Sequence, residues 1–131
     1  MAKMLHSMIR VSNLDSSLQF YHDLFDLEVK RQIEFEQFSL TYLGNHACDF
    51  ELELTYNYAQ QAPYELGNGY GHLALGVDDL AMVWEKASKL GYAPMDIKAL
   101  YNQAQLVAKF FFIRDPDGYH IEVIERNATF G

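Results

Sequence analysis

Residue types that mark several protein classes are scarce in this 131-residue chain. Cys48 is the only cysteine, so no disulfide can form within the chain, and a small secreted domain held together by disulfides is excluded. Lys and Arg number 10 against 18 Asp and Glu, which gives a formal net charge of −8. A nucleic-acid partner is therefore not expected, because binding to phosphates requires basic patches.

Long apolar runs are also missing. None approaches the roughly 20 residues that a helix needs to cross a bilayer, and the N-terminal residues turn polar too early for the core of a signal peptide. Half of the residues are hydrophobic, which is enough for a sizeable core in one domain or in two small fused halves. We therefore expect a compact cytoplasmic enzyme or binding protein.

An internal repeat is the strongest positive signal in the sequence. His6 and His72 lead the same pattern, with Val five residues later and Leu eight residues later, and the two patterns are 66 residues apart. Glu53 and Glu122, each in a strand-like run, are 69 residues apart. A duplicated module with one imidazole and one carboxylate per copy would bring two His and two Glu to one centre, which predicts a divalent metal site.

Each half of the chain has the pattern of a strand, a helix and further strands, and we divide it into modules 1–66 and 67–131. The first half has predicted strands at 4–11, 28–36, 38–43 and 49–56, with a turn at Gly44-Asn45 and a helix that begins after capping residues 12–15. The second half has predicted strands at 70–77, 109–113 and 119–124, a helix that begins after Asp78-Asp79 and ends near Gly91, and a tight turn at 115–118. A further strand within 96–107 is a guess.

Strand alternation decides whether the candidate ligands can meet. His72 shares a face with the small residues Ala74 and Gly76, while the apolar residues between them face the other way. Glu53 and Glu122 likewise alternate with apolar neighbours. An ionised carboxylate buried in a sheet is costly unless it is paired or binds a metal, so each position requires a partner.

Each candidate also has an ordinary structural explanation. A single His in a strand is more often a hydrogen-bonded structural residue, and a single Glu is more often solvated; the repeat favours the metal site. His22 and His46 are expected to be exposed. His120 is the rival ligand, because it lies two residues before Glu122 on the same face.

The chain resembles the glyoxalase I enzymes, the lactoylglutathione lyases of the vicinal oxygen chelate superfamily, in motifs that span almost its whole length. The matching stretches are Met-Leu-His-Ser-Met-Ile-Arg-Val (4–11), Glu-Leu-Thr-Tyr-Asn (53–57), Tyr-Glu-Leu-Gly and Tyr-Gly-His-Leu-Ala-Leu (64–75), and Asp-Pro-Asp-Gly-Tyr with Ile-Glu-Val-Ile-Glu (115–125). The resemblance implies an α+β fold of two tandem βαβββ modules that form a half-barrel-like metal site. It also implies one divalent metal bound by His6, Glu53, His72 and Glu122, in a homodimer whose chains share the sites. Nickel or cobalt is favoured by the compact chain, and zinc is the alternative.

The resemblance further implies the substrate and the roles of individual residues. The substrate would be the hemithioacetal of methylglyoxal and glutathione, and the product S-lactoylglutathione. Glu122 would be the main base and Glu53 a ligand and second base. Arg10 and Asn57 match positions that hold the γ-glutamyl part of glutathione, although a strand-end surface charge and a turn residue are the ordinary explanations for them.

One departure from the family pattern leaves the thiol open. Family members commonly carry a glycine-rich loop that helps to hold the glycyl carboxylate of glutathione, whereas residues 99–105 here contain no glycine, and Lys98 and Lys109 only flank the stretch. The alternatives are another thiol or a related enzyme such as an acyl-thioester epimerase. An extradiol dioxygenase would need only one carboxylate, a metal-free sequestering protein would need no ligands, and a structural zinc module would more often use Cys.

Overall fold

The structure, a computed structural model, describes all residues from 1 to 131 and divides into two compact units, Met1–Glu65 and Leu66–Gly131. The first unit contains β1 (His6–Val11), α1 (Leu14–Phe25), β2 (Glu28–Glu34), β3 (Phe38–Asn45) and β4 (Cys48–Asn57). The second contains β5 (Leu73–Val77), α2 (Leu80–Lys89), β6 (Lys98–Asn102), β7 (Gln105–Arg114) and β8 (His120–Glu125). The predicted α+β fold of two βαβββ modules is confirmed. Neither helix is long and apolar enough to cross a membrane.

The sheets of the two units have the same topology. The strand order is β1-β4-β3-β2 in the first and β5-β8-β7-β6 in the second. The first strand of each unit pairs in parallel with the last, and the other pairings are antiparallel. The last strand therefore lies between the first strand and the third, so residues from both neighbours can surround its side chains.

Alternation in β1 separates a core face from an open face. Ile9 and Val11 are buried, whereas His6, Met8 and Arg10 are exposed, as the sequence predicts. The parallel neighbour β4 contributes apolar residues to the core face as well. One face of this sheet is thus available for chemistry, while the other stabilises the fold by burying apolar surface.

Helix α1 begins through its predicted capping chemistry. The Asn13 side chain accepts a hydrogen bond from the Ser16 amide at 3.1 Å, which satisfies one of the free N–H groups of the first turn. The buried face of the helix consists of Ser17, Phe20, Tyr21, Leu24 and Phe25. Leu14 and Leu18, which lie at the same helical spacing as these residues, are only partly buried. Full burial of a side chain such as that of Phe20 contributes about 1.5–3 kcal/mol.

Helix α2 repeats this arrangement. The Asp79 side chain accepts a hydrogen bond from the Met82 amide at 3.1 Å. After the last turn, Gly91 adopts a φ of +83° and its amide donates to the Ser88 carbonyl. Glycine adopts this left-handed conformation without a steric penalty, and the predicted C-terminal position of Gly91 is therefore confirmed.

The predicted turn at Gly44-Asn45 is wrong. Both residues belong to β3, where Gly44 pairs with Glu28. The turn lies two residues later, at His46 and Ala47, and the Asn45 side chain accepts a hydrogen bond from the Ala47 amide at 2.9 Å. The Asn side chain closes the turn from its first residue instead of occupying its centre.

The turn between β7 and β8 forms where it was predicted. The Gly118 amide donates to the Asp115 carbonyl at 2.9 Å, and Gly118 has a φ of +92°. The Asp115 carboxylate accepts from the amides of Asp117 and Tyr119 at 3.0 and 2.9 Å. Asp115 and Asp117 therefore build the turn, as expected, and the turn fixes the register of β7 on β8.

The strand expected within 96–107 is β6. All five of its residues are exposed, so no buried face imposes alternation on its sequence, and this explains why it could only be guessed. It pairs with β7 as a hairpin whose turn contains Gln103, with a φ of +57°. The glycine-free stretch is therefore mostly strand and not an open loop.

Candidate metal centre

The first unit brings His6 and Glu53 together. β1 and β4 pair in parallel with Met8 opposite Glu53, and His6 lies two residues before Met8. The His6 Nε2 atom is 3.2 Å from Glu53 Oε1, and the two side chains are 38% and 9% exposed. The carboxylate is thus buried beside a half-exposed imidazole.

The second unit repeats this geometry with His72 and Glu122. Here β5 and β8 pair in parallel with Ala74 opposite Glu122, again two residues after the His. His72 Nε2 lies 3.2 Å from Glu122 Oε1, and the side chains are 39% and 19% exposed. The repeat seen in the sequence therefore corresponds to the same strand register in both units.

The donor atoms of each pair fit adjacent positions around one ion. An imidazole nitrogen and a carboxylate oxygen that each lie about 2.1 Å from a metal, at the angles of common coordination geometries, are roughly 3–3.5 Å apart. The measured 3.2 Å falls in this range in both units. No group of three or more His, Cys, Asp or Glu side chains lies together as a metal cluster in the chain. Each pair therefore offers two donor side chains, fewer than the three or four that a catalytic ion usually takes from protein.

Tyr42 is a site residue that the sequence did not reveal. It lies opposite Glu53 in the antiparallel β3–β4 pairing, and its hydroxyl donates to Glu53 Oε2 at 2.7 Å. Its ring packs edge-on against that of His6, with centroids 5.7 Å apart. The hydrogen bond to the carboxylate, together with burial, raises the pKa of Tyr42.

Phe112 holds the equivalent position in the second unit. It lies opposite Glu122 in the antiparallel β7–β8 pairing, and its ring packs edge-on against His72 with centroids 5.1 Å apart. The two units share the aromatic contact but not the hydroxyl. The internal repeat could have revealed this pair, because Tyr42 and Phe112 are separated by 70 residues, close to the spacing of the two Glu residues.

Arg31 supports this side of the first unit, and nothing in the sequence pattern singles it out. Its guanidinium donates to both oxygens of Glu51 at 3.0 and 2.7 Å and lies 4.3 Å from the ring centroid of Tyr42. The hydrogen bonds raise the pKa of Arg31 and lower the pKa of Glu51. Arg31, fixed by its two hydrogen bonds to Glu51, stacks on the ring of Tyr42 and so holds the phenol in place.

Arg10 and Asn57 lie on the neighbouring strands β1 and β4, with the same register offset as His6 and Glu53, because Arg10 pairs with Thr55, two residues before Asn57. Arg10 is exposed on the same face of β1 as His6. Asn57 is the last residue of β4, and its side-chain amide donates to the Tyr64 hydroxyl at 3.1 Å. A cavity of about 410 Å³ opens beside Asn57. The predicted role of both residues in holding a substrate stays a prediction.

The remaining His residues take no part in such pairs. His22 and His46 are exposed, as predicted. His120 is also exposed, and its ring lies 6.4 Å from that of Phe112. Only His6 and His72 come within 4.0 Å of a carboxylate oxygen, so His120 does not displace His72 from its pairing with the site Glu.

Two tandem βαβββ units define the class of fold, and comparison with known proteins assigns the family. A sequence model of the Glyoxalase/Bleomycin resistance protein/Dioxygenase superfamily matches residues 3–123, and the chain belongs to this superfamily. The family resemblance inferred from the sequence motifs is confirmed.

Relatives of similar length carry a more specific name. The chain is 36% identical over 130 residues to a probable lactoylglutathione lyase of Synechocystis, an alignment that covers 95% of this chain and 96% of the relative. It is also 36% identical over 132 residues to the lactoylglutathione lyase of Haemophilus influenzae, with 97% and 95% coverage.

Solved structures agree with this. A glyoxalase I mutant from Zea mays superposes with a TM-score of 0.84 at 30% identity, covering 95% of this chain and 44% of the maize chain. The trypanothione-dependent glyoxalase I of Leishmania major superposes with a TM-score of 0.75 at 33% identity, with 95% and 87% coverage.

Proposed function

We propose that the protein is a metal-dependent lactoylglutathione lyase of the glyoxalase I type, which converts the hemithioacetal of methylglyoxal and glutathione to S-lactoylglutathione. The observation that carries this proposal is the matched His–Glu pair, placed by the same register in both units. The activity is the one implied by the sequence motifs, and it is the name of relatives that match nearly the whole chain. The proposed location is the cytoplasm, since the lone Cys48 suits a reducing compartment.

The proposed ligands of one divalent ion are His6, Glu53, His72 and Glu122. Two imidazole nitrogens and two carboxylate oxygens form a borderline donor set that accepts nickel, cobalt or zinc; nickel or cobalt is favoured because the chain resembles the compact members of the family. When bound, the ion would act as a Lewis acid that stabilises negative charge developing on the substrate oxygens.

Two ligands per unit also support a homodimer. A catalytic ion usually has three or four protein ligands, and each unit offers only one pair. We therefore propose that chains associate in pairs and share their sites, so that each site combines a pair from a first unit with a pair from a second unit.

The proposed base is Glu122. The reaction requires a carboxylate that removes the proton from the carbon bearing sulfur and returns it to the neighbouring carbon, whose carbonyl becomes a hydroxyl while the first carbon becomes the thioester carbonyl. Glu122 is the more exposed of the two site carboxylates. Glu53 is the proposed ligand and the candidate for a second base.

The glutathione part of the substrate would be held by Arg10 and Asn57. The Arg10 guanidinium matches the planar geometry of a carboxylate, and Asn57 borders the cavity at the end of β4. A second thiol is the alternative, because the β6–β7 hairpin replaces the glycine-rich loop and the similar Leishmania enzyme is described as trypanothione-dependent.

The test is a lyase assay on protein stripped of metal and reloaded in parallel with nickel, cobalt or zinc. We expect one metal to restore thioester formation from methylglyoxal and glutathione. Glu122→Gln should then lower kcat by about 10²–10⁴-fold, because it removes the base.

Two matched controls accompany this variant. Glu85→Gln removes an exposed carboxylate from α2, and His120→Gln removes the rival His from the strand that carries Glu122. Both should retain activity. Absence of turnover with every metal, in protein that still binds the ion, would contradict glutathione as the cosubstrate and favour another thiol or an acyl-thioester epimerase.

A further inference from the structure

Tyr42 and Phe112 occupy equivalent positions beside the two site carboxylates. Each lies on an antiparallel strand directly opposite the Glu of its unit, Glu53 or Glu122. Each ring packs edge-on against the His of that unit, with interplanar angles of 76° and 84°. Of the two rings beside the site carboxylates, only that of Tyr42 carries a hydroxyl.

The hydroxyl of Tyr42 leaves Glu53 with both oxygens engaged. Oε1 lies 3.2 Å from His6, and Oε2 accepts the hydrogen bond of Tyr42 at 2.7 Å. The side chain is only 9% exposed. A buried carboxylate with a partner at each oxygen is fixed in orientation, which suits a permanent ligand.

Glu122 has only one of these partners. Its Oε1 lies 3.2 Å from His72, and the opposing ring of Phe112 carries no hydroxyl that could donate to Oε2. Its side chain is 19% exposed, about twice as open as that of Glu53. Oε2 of Glu122 therefore lacks the phenolic restraint that Tyr42 places on Glu53.

The position of the phenol is itself fixed. Arg31 stacks on the ring of Tyr42 at 4.3 Å while its fork holds Glu51. The ring of Phe112 instead contacts Phe110, with centroids 5.9 Å apart. Arg31 therefore holds the Tyr42 ring and its hydroxyl in place in the first unit, whereas the corresponding ring in the second unit carries no hydroxyl.

We propose that the hydroxyl of Tyr42 gives the two carboxylates different roles. It fixes Glu53 as a ligand, whereas Phe112 has no hydroxyl and leaves Glu122 free to move the proton. This inference rests on the proposed lyase function. Tyr42 is a positioning residue that acts through Glu53, and under this inference Glu53 is a ligand only, in place of its candidate role as a second base.

The test exchanges one oxygen atom in each direction. Tyr42→Phe removes the hydroxyl from the first unit, and Phe112→Tyr supplies one to the second. Affinity for nickel and for cobalt is measured by calorimetry on stripped protein, and kcat and KM are measured at saturating metal. Tyr56→Phe is the matched control, because it removes a phenol from the opposite face of β4. Thermal unfolding verifies that every variant folds.

We expect opposite signatures from the two exchanges. Tyr42→Phe should weaken metal binding about tenfold, the usual effect of removing a hydrogen-bond partner of a ligand. Phe112→Tyr should not weaken metal binding but should lower kcat about tenfold with little change in KM, because the new hydroxyl restrains the base. Tyr56→Phe should leave metal affinity unchanged.

Equal metal affinities in the wild type and Tyr42→Phe, or an unchanged kcat in Phe112→Tyr, would overturn the proposal. Failure of the lyase function itself is a different result, since the wild-type protein would then bind metal without turnover. In that case the calorimetric comparison still decides whether Tyr42 fixes Glu53 as a ligand.

Discussion

At the scale of single residues, chemistry depends on which partners each carboxylate has. Glu53 and Glu122 are equivalent by register, yet only Glu53 accepts a phenolic hydrogen bond. Burial of an ionised group demands a partner, and each Glu meets that demand first through its His. The extra hydroxyl of Tyr42 then makes one carboxylate more constrained than the other.

The ion pair of Arg31 and Glu51 predicts a pH dependence of stability. The hydrogen bonds from Arg31 lower the pKa of Glu51 in the folded state. A lowered pKa stabilises the fold at pH values above the unfolded pKa, which is about 4.3 for Glu, and this contribution is lost as the pH falls through the lowered folded pKa.

We therefore expect the wild type to lose more stability than Glu51→Gln when the pH falls from about 6 to about 3. Urea unfolding at a series of pH values measures the difference. Arg31→Lys is the control, since it keeps the charge but not the fork, and it should lie between the two. Parallel pH profiles for the wild type and Glu51→Gln would show that the pair is too well solvated to matter.

At the scale of elements, turns set the register that places each aromatic ring opposite its carboxylate. Glu122 and Phe112 face each other because the turn at 115–118 closes β7 on β8. Gly118 has a φ of +92°, and a Cβ there would meet nothing closer than Leu66 Cδ1 at 3.7 Å. A side chain at this position is therefore disfavoured by the backbone conformation and not by a lack of space.

Gly118→Ala should lower the free energy of unfolding by about 1–3 kcal/mol, because alanine is strained at this φ. Gly69→Ala is the matched control, since Gly69 has no positive φ and a methyl group added there would have no neighbour within 4 Å. Urea unfolding of both variants measures the effect. Equal stabilities for the two variants would mean that the turn relaxes without cost.

Elements with strong local signals were predictable from the sequence. Both helix starts follow from Asn13 and Asp79, and strand alternation places His6 on the open face of β1. The predicted strand 70–77 is shorter in the structure, and the exposed His72 lies directly before β5. Strand β6 was obscure because it has no buried side. The turn after β3 was predicted two residues too early, since Gly44 pairs within the sheet.

The candidate ligands were predictable because the repeat encodes them, whereas their supporting residues were not. The repeat spacing pairs Tyr42 with Phe112, but the hydrogen bond of Tyr42 to Glu53 follows from the register of β3 on β4. The contact of Arg31 with its ring depends on the further pairing of β2 with β3. Such contacts depend on pairings between strands, which local sequence patterns do not specify.

At the scale of the whole molecule, duplication supplies two similar pairs that can be used differently. One copy keeps the hydroxyl beside its carboxylate, and the other lacks it. Neither pair alone supplies enough ligands for a catalytic ion. We therefore propose that His6, Glu53, His72 and Glu122 bind a single ion together.

The most direct test is a calorimetric titration of nickel into stripped wild-type protein, His6→Gln and His72→Gln, with the mass in solution measured by light scattering. A shared site predicts one ion per chain, a mass twice 15.1 kDa, and a comparable loss of affinity in both variants, because each removes one ligand from every site. Two independent ions per chain, with one retained at full affinity in each variant, would contradict the account.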